Sequence, residues 1–203
     1  MNRVASRPRG YRSQLRQEQA EETRARILDA TMRVMATGLA SLSIPAVARE
    51  AGVSVPTIYR HFGTKRDLLA AVYPHAAHRA GMDAIPDPRS LDELRPMIRA
   101  VLERLDALDD VSRAAMASPA ASEVRHATMA SRYERIQRLA DSIEPKLPKA
   151  DRDRLTRLMT VITASASVRM WRDHLGLSVD EVADEIDWIV RAAILAVQER
   201  NER

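Results

Sequence analysis

The sequence predicts an all-α protein of about nine helices, with an N-terminal three-helix part and a larger helical part behind it. Three observations carry this. Apolar residues recur at helical spacing along most of the chain. No stretch sustains the period-2 alternation of a half-buried strand. Residues that sheets and tight turns rely on are scarce: aromatic residues make up 3% of the chain, and there are 6 glycines in 203 residues.

The elements follow in order. Residues 1–20 have no apolar period and read as a basic arm without regular structure. A helix starts near Glu21–Thr23 and sets Ile27, Leu28, Thr31, Val34 and Met35 on one face. Gly38 ends it. Ser43 caps a two-turn helix, Ile44–Ala51, with Pro45 in its first turn. Gly52 breaks the chain, and Ser54 caps a second short helix running to about His61. Thr64 and Asp67 form a capping box that opens Lys65–Arg79. Ser90-Leu91-Asp92-Glu93 reads as another box, ahead of an amphipathic stripe from Leu91 to Leu108 that Pro96 should kink. A short helix over Asp110–Ala117 stops before Pro119, and a long one spans about Ala120–Ile143. The next is expected to run unbroken from Asp151 to Leu175. Ser178 and Glu181 box the last helix, with Val182, Ile186, Ile189, Val190, Ala193, Ile194 and Val197 on one face.

Composition removes several function classes. There is no cysteine, which excludes disulfide frameworks, thiol nucleophiles, thiolate zinc sites and iron–sulfur clusters. The longest charge-free run, Val34–Ala48, falls short of the ~18 apolar residues a spanning helix needs. No signal peptide is evident, so the expected compartment is the cytoplasm, with no membrane partner. The net charge of +4 is uneven: residues 1–74 hold 12 Lys+Arg against 6 Asp+Glu, and the remainder is slightly acidic. Arg3, Arg7, Arg9, Arg12 and Arg16 precede any acid. A basic front on an acidic body points to a polyanion at that end.

Leu42–Leu69, LSIPAVAREAGVSVPTIYRHFGTKRDLL, is the informative stretch. Two short helices around a glycine turn make a helix-turn-helix. Ala48 is small enough for a close crossing, Gly52 permits a left-handed backbone, and Ile58 and Phe62 face inward at i and i+4. That leaves Val55, Pro56, Thr57, Tyr59, Arg60 and His61 outward, a face without a carboxylate. Such a helix in a major groove reads bases mainly with its N-terminal residues. Val55, Pro56 and the Thr57 methyl suit thymine methyls, while Tyr59 and the Thr57 hydroxyl can hydrogen-bond. Lys65 opens the next helix, where a phosphate also meets free backbone N–H groups. The candidate DNA residues are therefore Ser43, Ser54, Val55, Pro56, Thr57, Tyr59, Arg60, His61 and Lys65. Arg9 and Arg12 join them as arm residues suited to a minor groove.

T23-R-A-R-I-L-D-A, Gly38 and S43-I-P-A-V-A-R-E-A-G-V-S-V-P-T-I-Y-R-H-F-G-T-K-R-D-L-L together resemble the N-terminal domain of TetR-family transcriptional regulators. The resemblance covers Glu21 to about Val72. It implies phosphate contacts from Ser43, Thr57, Tyr59, His61 and Lys65 and base contacts from Val55, Pro56, Thr57 and Tyr59. It also implies a dimer on operator DNA and, as a rule, repression relieved by a small molecule. One departure stands out: some members carry a base-reading arginine or lysine where this chain has Ile44 and Pro45.

The domains expected are thus 1–20 as arm, 21–74 as DNA-binding domain, and 75–203 as ligand-binding and dimerisation domain. Methionines concentrate beyond residue 80, and Met re-packs readily around ligands. Met97, Val101, Met116, Met129, Tyr133, Ile162 and Met170 are the candidate lining of a cavity for a small apolar effector, where the Tyr133 hydroxyl, with Arg125 or Arg169 nearby in sequence, could orient a head group. Helix Lys65–Arg79 would be the lever linking such a cavity to the DNA-binding part. The run Thr163–Ser167, through Ala164 and Ser167, and the patch Ile189, Ala192, Ala193 and Ala196 are the candidate dimer surfaces. Glu123-Val-Arg-His126 is half of a di-iron pattern without its second copy, and His75 and His78 lack an obvious ligand set. No metal, cofactor or catalytic constellation is expected, and the chain does not read as an enzyme. The competing readings are a helical ligand carrier or enzyme with an incidental helix-turn-helix, and a DNA-binding activator.

Overall fold

The computed structural model describes residues 9–38 and 41–201. Among these there is no strand. Ten α-helices follow in order: α1 Arg9–Ala36, α2 Ile44–Ala51, α3 Val55–Phe62, α4 Lys65–Arg79, α5 Leu94–Asp106, α6 Asp110–Ala117, α7 Ala121–Ile143, α8 Lys149–Ile162, α9 Ser165–Arg169 and α10 Val179–Asn201. The all-α class holds, with roughly the helix count expected.

Contacts divide the chain into two units. The first comprises the chain up to His75 together with Asp110–Val124; the second comprises Ala76–Asp109 and Arg125–Arg203. In the first, α1 packs on α2 and α6, and α2 on α3. The α1 face is the one its spacing predicts: Ile27 and Thr31 are completely buried, and Leu28, Val34 and Met35 nearly so. The Thr31 hydroxyl donates to the Ile27 carbonyl at 2.8 Å, so this polar group is buried with its partner.

The second unit is built on α5, α8 and α10. Leu94, Ile98 and Leu102 of α5 meet Val182, Ile186, Val190 and Ile194 of α10, with Leu155, Met159 and Ile162 of α8 and Ile143 of α7. The Ser178–Glu181 box forms as expected: the Glu181 carboxylate accepts from Ser178 N–H at 2.7 Å, and Ser178 Oγ accepts from Glu181 N–H at 3.2 Å.

Three local expectations are corrected. First, α1 begins at Arg9 rather than near Glu21–Thr23. Residues 14–22 are exposed throughout, so this stretch buries nothing and leaves no apolar period to detect. It is carried by helix-favouring Gln, Arg, Glu and Ala and an i,i+4 bond from Gln17 to Glu21. Second, Ser90 makes no side-chain cap. Glu93 instead accepts from Arg89 N–H at 2.8 Å, a 3-10 turn covers Leu91–Glu93, and α5 starts at Leu94. Pro96 then lies in the first turn of α5, where a missing N–H costs no hydrogen bond, so it has no cause to kink the helix. Third, the expected helix from Asp151 to Leu175 is broken. It ends at Ile162, Ala164 is extended, α9 restarts at Ser165, and Met170–His174 is a π turn. The Thr163 hydroxyl donates back to the Met159 carbonyl, and Arg132 donates to both the Thr163 carbonyl and its hydroxyl oxygen, each at 2.9 Å. Side-chain bonds of this kind replace the helical ladder at the break.

Ile186 is 2% exposed at the centre of the second core. Ile186→Ala should destabilise the fold by about 2–5 kcal/mol, read as a lowered midpoint in urea unfolding.

Candidate nucleic-acid interface

Two short helices and the ends that cap them make up the site. Ser43 is the N-cap of α2, its hydroxyl oxygen accepting from Ala46 N–H at 3.4 Å. Gly52 ends α2 at φ +63°, a left-handed conformation that side chains resist. Ser54 caps α3, accepting from Thr57 N–H at 3.3 Å, and the Ser54 and Thr57 hydroxyls are hydrogen-bonded to each other at 2.9 Å. The Thr57 hydroxyl thus already has one partner inside the protein.

On α3, Ile58 and Phe62 are buried, at 1% and 6% exposure. Tyr59 is 43% exposed. Pro56 and Arg60 are exposed, and Val55, Thr57 and His61 are half-buried. Of the set predicted to point outward, Pro56, Tyr59 and Arg60 are thus exposed and the other three partly covered, while Ile58 and Phe62 alone are buried. Ser43 is exposed at the start of α2, and Lys65 is half-buried at the start of α4. The Thr64–Asp67 box that fixes the α4 N-terminus is formed, with Asp67 accepting from Thr64 N–H at 3.2 Å and Thr64 Oγ1 accepting from Asp67 N–H at 3.1 Å. Arg9 and Arg12 fall in the first turn of α1, and their side chains lie outside the described residues, as do Arg3 and Arg7 altogether.

Two residues at this site were not legible beforehand. From α1, the Arg24 guanidinium donates to the His61 carbonyl at 2.9 Å and lies 4.2 Å from the centroid of the Phe62 ring. It satisfies one of the free carbonyls at the α3 C-terminus and places a cation at the negative end of the helix. Nothing in the periodicity distinguishes Arg24 from other exposed arginines. The second residue is Glu123, in the first turn of α7. One carboxylate oxygen pairs with Lys65 Nζ at 2.7 Å, and the other accepts from Leu42 N–H at 2.9 Å. Lys65 holds the Glu123 carboxyl below its ordinary range, partial burial opposes this, and the Leu42 N–H adds to the depression. The sequence offered Glu123 only as half of a metal pattern.

The histidines pair separately. His75 Nε2 lies 2.7 Å from Asp29 Oδ1, and His78 Nδ1 lies 2.5 Å from Asp83 Oδ2. Among the described residues, no group of three or more His, Asp or Glu is arranged to hold a metal ion.

The effector candidates are dispersed. Met116 belongs to the first unit, and the other six to the second. Ile162 and Met97 belong to the apolar core of that unit. Val101 and Tyr133 are half-buried, while Met129 and Met170 are 46% and 53% exposed. An open depression of about 440 Å³ along α5 is lined by Arg95, Pro96, Arg99, Ala100 and Glu103, and none of the seven candidates lines it. Of the dimer candidates, Ala164 sits at the break before α9 and Ser167 donates to the Val161 carbonyl at 2.6 Å. Ile189 and Ala193 pack on the core, and Ala192 and Ala196 are exposed. Beside them on α10, Trp188 and Leu195 are 66% and 56% exposed, on a side of the helix that the apolar period of the buried face does not mark.

Residues 27–72 match the family described as bacterial regulatory proteins, tetR family. Over that stretch the chain is similar to the TetR family of transcriptional regulators. It is 40% identical over 70 residues to the HTH-type transcriptional regulator SrpR of Pseudomonas putida, a match covering 34% of this chain and 33% of SrpR. This chain therefore spans a third of that relative's length. A longer match, 28% identical over 196 residues, covers 90% of the chain and 85% of the HTH-type transcriptional repressor KstR of Mycobacterium tuberculosis. Among solved structures, a tetR-family transcriptional regulator from Streptomyces coelicolor shares the fold, with a TM-score of 0.52 at 19% identity, over 90% of this chain and 84% of that one. The TetR resemblance read from Thr23–Leu69 is thus upheld. Among the described residues no helix is long and apolar enough to cross a membrane.

His61 supplies a pH dependence. Burial lowers its pKa, and the nearby Arg60 and Arg24 charges lower it further. The folded state then binds fewer protons than the unfolded state, so stability rises with pH. The His61 contribution should be intact above the ordinary histidine value of 6.5 and be lost as pH falls below it. His61→Asn should flatten that part of a plot of melting temperature against pH, and an unchanged plot would reject the assignment.

Proposed function

We propose that this chain is a TetR-family, sequence-specific DNA-binding regulator, working as a homodimer, and that it is a repressor released from its operator by a small apolar ligand. The observation that carries the DNA reading is the outward face of α3. It presents Val55, Pro56, Thr57, Tyr59, Arg60 and His61 without a carboxylate, between the capped N-termini of α2 and α4. In a major groove, Tyr59 and the apolar start of α3 would meet base edges, while Ser43, His61, Arg60 and Lys65 would meet phosphates. Arg9 and Arg12 would extend the grip on the backbone.

The dimer reading is supported by geometry and by surface. A two-turn recognition helix reads too few bases, so two half-sites about 34–36 Å apart are needed. On α10, Trp188, Ala192, Leu195 and Ala196 form an exposed apolar ridge at helical spacing. Repression is supported by the likeness to KstR, whose name is that of a repressor; it would act by a dimer occluding polymerase. For the effector we take the apolar interior of the second unit, where Met97, Val101, Tyr133 and Ile162 are buried or half-buried. A ligand there shifts DNA binding only so far as it prefers one conformation over the other.

DNA selected by the protein from a random-sequence library tests the interface. Tyr59→Ala should weaken the selected duplex by roughly 5- to 150-fold, a loss of about 1–3 kcal/mol, and relax sequence preference. Lys65→Ala should weaken selected and unselected duplexes alike. If Tyr59→Ala binds the selected duplex like wild type at physiological salt, α3 is not the reading element.

Light scattering at micromolar concentration should give twice the chain mass of 22.7 kDa, and Leu195→Arg should shift it toward the monomer without unfolding the chain. A monomeric wild type defeats the dimer reading.

A further inference from the structure

The phosphate-facing end of Lys65 is already occupied, and the occupant is unusual in reaching two elements at once. Glu123 lies 81 residues beyond Leu42 in the chain, yet its two carboxylate oxygens take the Leu42 N–H at 2.9 Å and the Lys65 ammonium at 2.7 Å. Leu42 directly precedes Ser43, the cap of α2, and Lys65 is the first residue of α4. An ammonium group together with a backbone N–H just ahead of a helix is the donor set that a nucleic-acid phosphate takes. The side chains are neither sealed off nor loose, at 36% exposed for Lys65 and 28% for Glu123. DNA can therefore reach the lysine, but only in competition with the carboxylate.

We propose that Glu123 is an internal phosphate mimic, a positioning residue that holds Lys65 and the Leu42 N–H until duplex DNA displaces it. This rests on the DNA-binding reading of α2–α4 given above. Displacement frees a carboxylate and engages a phosphate, so the net gain from Lys65 is smaller than that of an unpaired lysine. The depressed pKa of Glu123 agrees, because a carboxyl held in its charged form is a persistent competitor at neutral pH. Its place in the first turn of α7 also matters. α7 continues beyond Val124 into residues of the second unit, so the segment that presents the mimic is continuous with that unit's chain. A surface ion pair alone has little bearing on stability; its consequence here lies in what it denies to DNA.

The test uses the full chain and two fluorescein-labelled duplexes of equal length, one selected by the protein from a random library and one unselected. Affinity is measured by anisotropy over a range of salt for wild type, Glu123→Gln, Glu123→Asp, Lys65→Ala and Glu123→Gln with Lys65→Ala, after thermal melts confirm folding. Glu123→Gln should tighten both duplexes by roughly fivefold to tenfold near 0.1 M salt and leave the salt slope near the wild-type value, because the Lys65–phosphate contact, worth about 0.9, forms in both proteins. The gain should vanish in the Lys65→Ala background. Glu123→Asp keeps the charge but shortens the reach, and it should gain part of the same affinity; it also carries the test if the glutamine variant fails to fold. Unchanged or weaker binding by the folded Glu123 variants overturns the proposal. So does an equal gain with Lys65 absent, because that would be the effect of removing any acid near DNA. Should wild type bind neither duplex, the DNA-binding reading itself falls. Should wild type bind and the variants match it, only the mimic falls.

Discussion

The structure depends on how an eight-residue helix is held. In water, a helix as short as α3 has too few hydrogen bonds to offset the cost of nucleation. Its conformation is imposed from outside. Ile58 and Phe62, one turn apart, are buried and fix the rotation of the helix about its axis. Ser54 closes its N-terminus, and Gly63 N–H returns to the Tyr59 carbonyl at 2.7 Å to close the other end. Arg24 then ties the His61 carbonyl to α1. Once the inner pair is fixed, the outer set has no freedom left: Tyr59 and Arg60 point away from the core because Ile58 and Phe62 point into it. Recognition chemistry on the outside is thus set by packing on the inside.

Local rules were legible because they act within one turn of chain. Ser54, Gly52 and the boxes at Thr64–Asp67 and Ser178–Glu181 each involve partners four or fewer residues apart, and all are formed. The buried faces of α1 and α10 were legible for a related reason, since burial imposes a helical period on the sequence. Failures occur where one of these conditions is missing. Residues 14–22 of α1 are exposed throughout, so they carry no period. Ser90 has the residues of a box, yet Glu93 bonds to Arg89 instead, since the competing conformations differ by a single residue of register. The break at Thr163 is drawn out by Arg132, which lies 31 residues away in the chain.

The site divides along the same line. The outward residues of α3 were readable from a two-turn pattern. Arg24 and Glu123 were not, because each earns its place through a partner far along the chain: 37 residues for Arg24 and His61, and 81 for Glu123 and Leu42. Charge counting even misleads here. It credits the N-terminal region with Lys65 as a free cation, whereas the fold returns an acid to it from α7.

On α10 the constraint is area. One face buries Val182, Ile186, Val190 and Ile194 in the core, and the opposite one exposes Trp188 and Leu195. A helix with apolar residues on both sides is buried on both sides or is an interface. A stable interface buries about 800 Å² per partner, and a single large aromatic contributes only ~150–250 Å². Trp188 and Leu195 therefore cannot supply a dimer alone. The same unit offers Val161, Met170 and Leu175, all more than half exposed. Two of these lie at or just beyond the π turn of Met170–His174, in a segment where the helical ladder is already irregular. If the proposed dimer recruits them, association will order the irregular part of the second unit as well as cover α10. The concentration dependence of its melting temperature should then be larger than the α10 ridge alone accounts for. A dependence no larger than the ridge accounts for would confine the interface to α10, and a melting temperature that does not change with protein concentration would remove it.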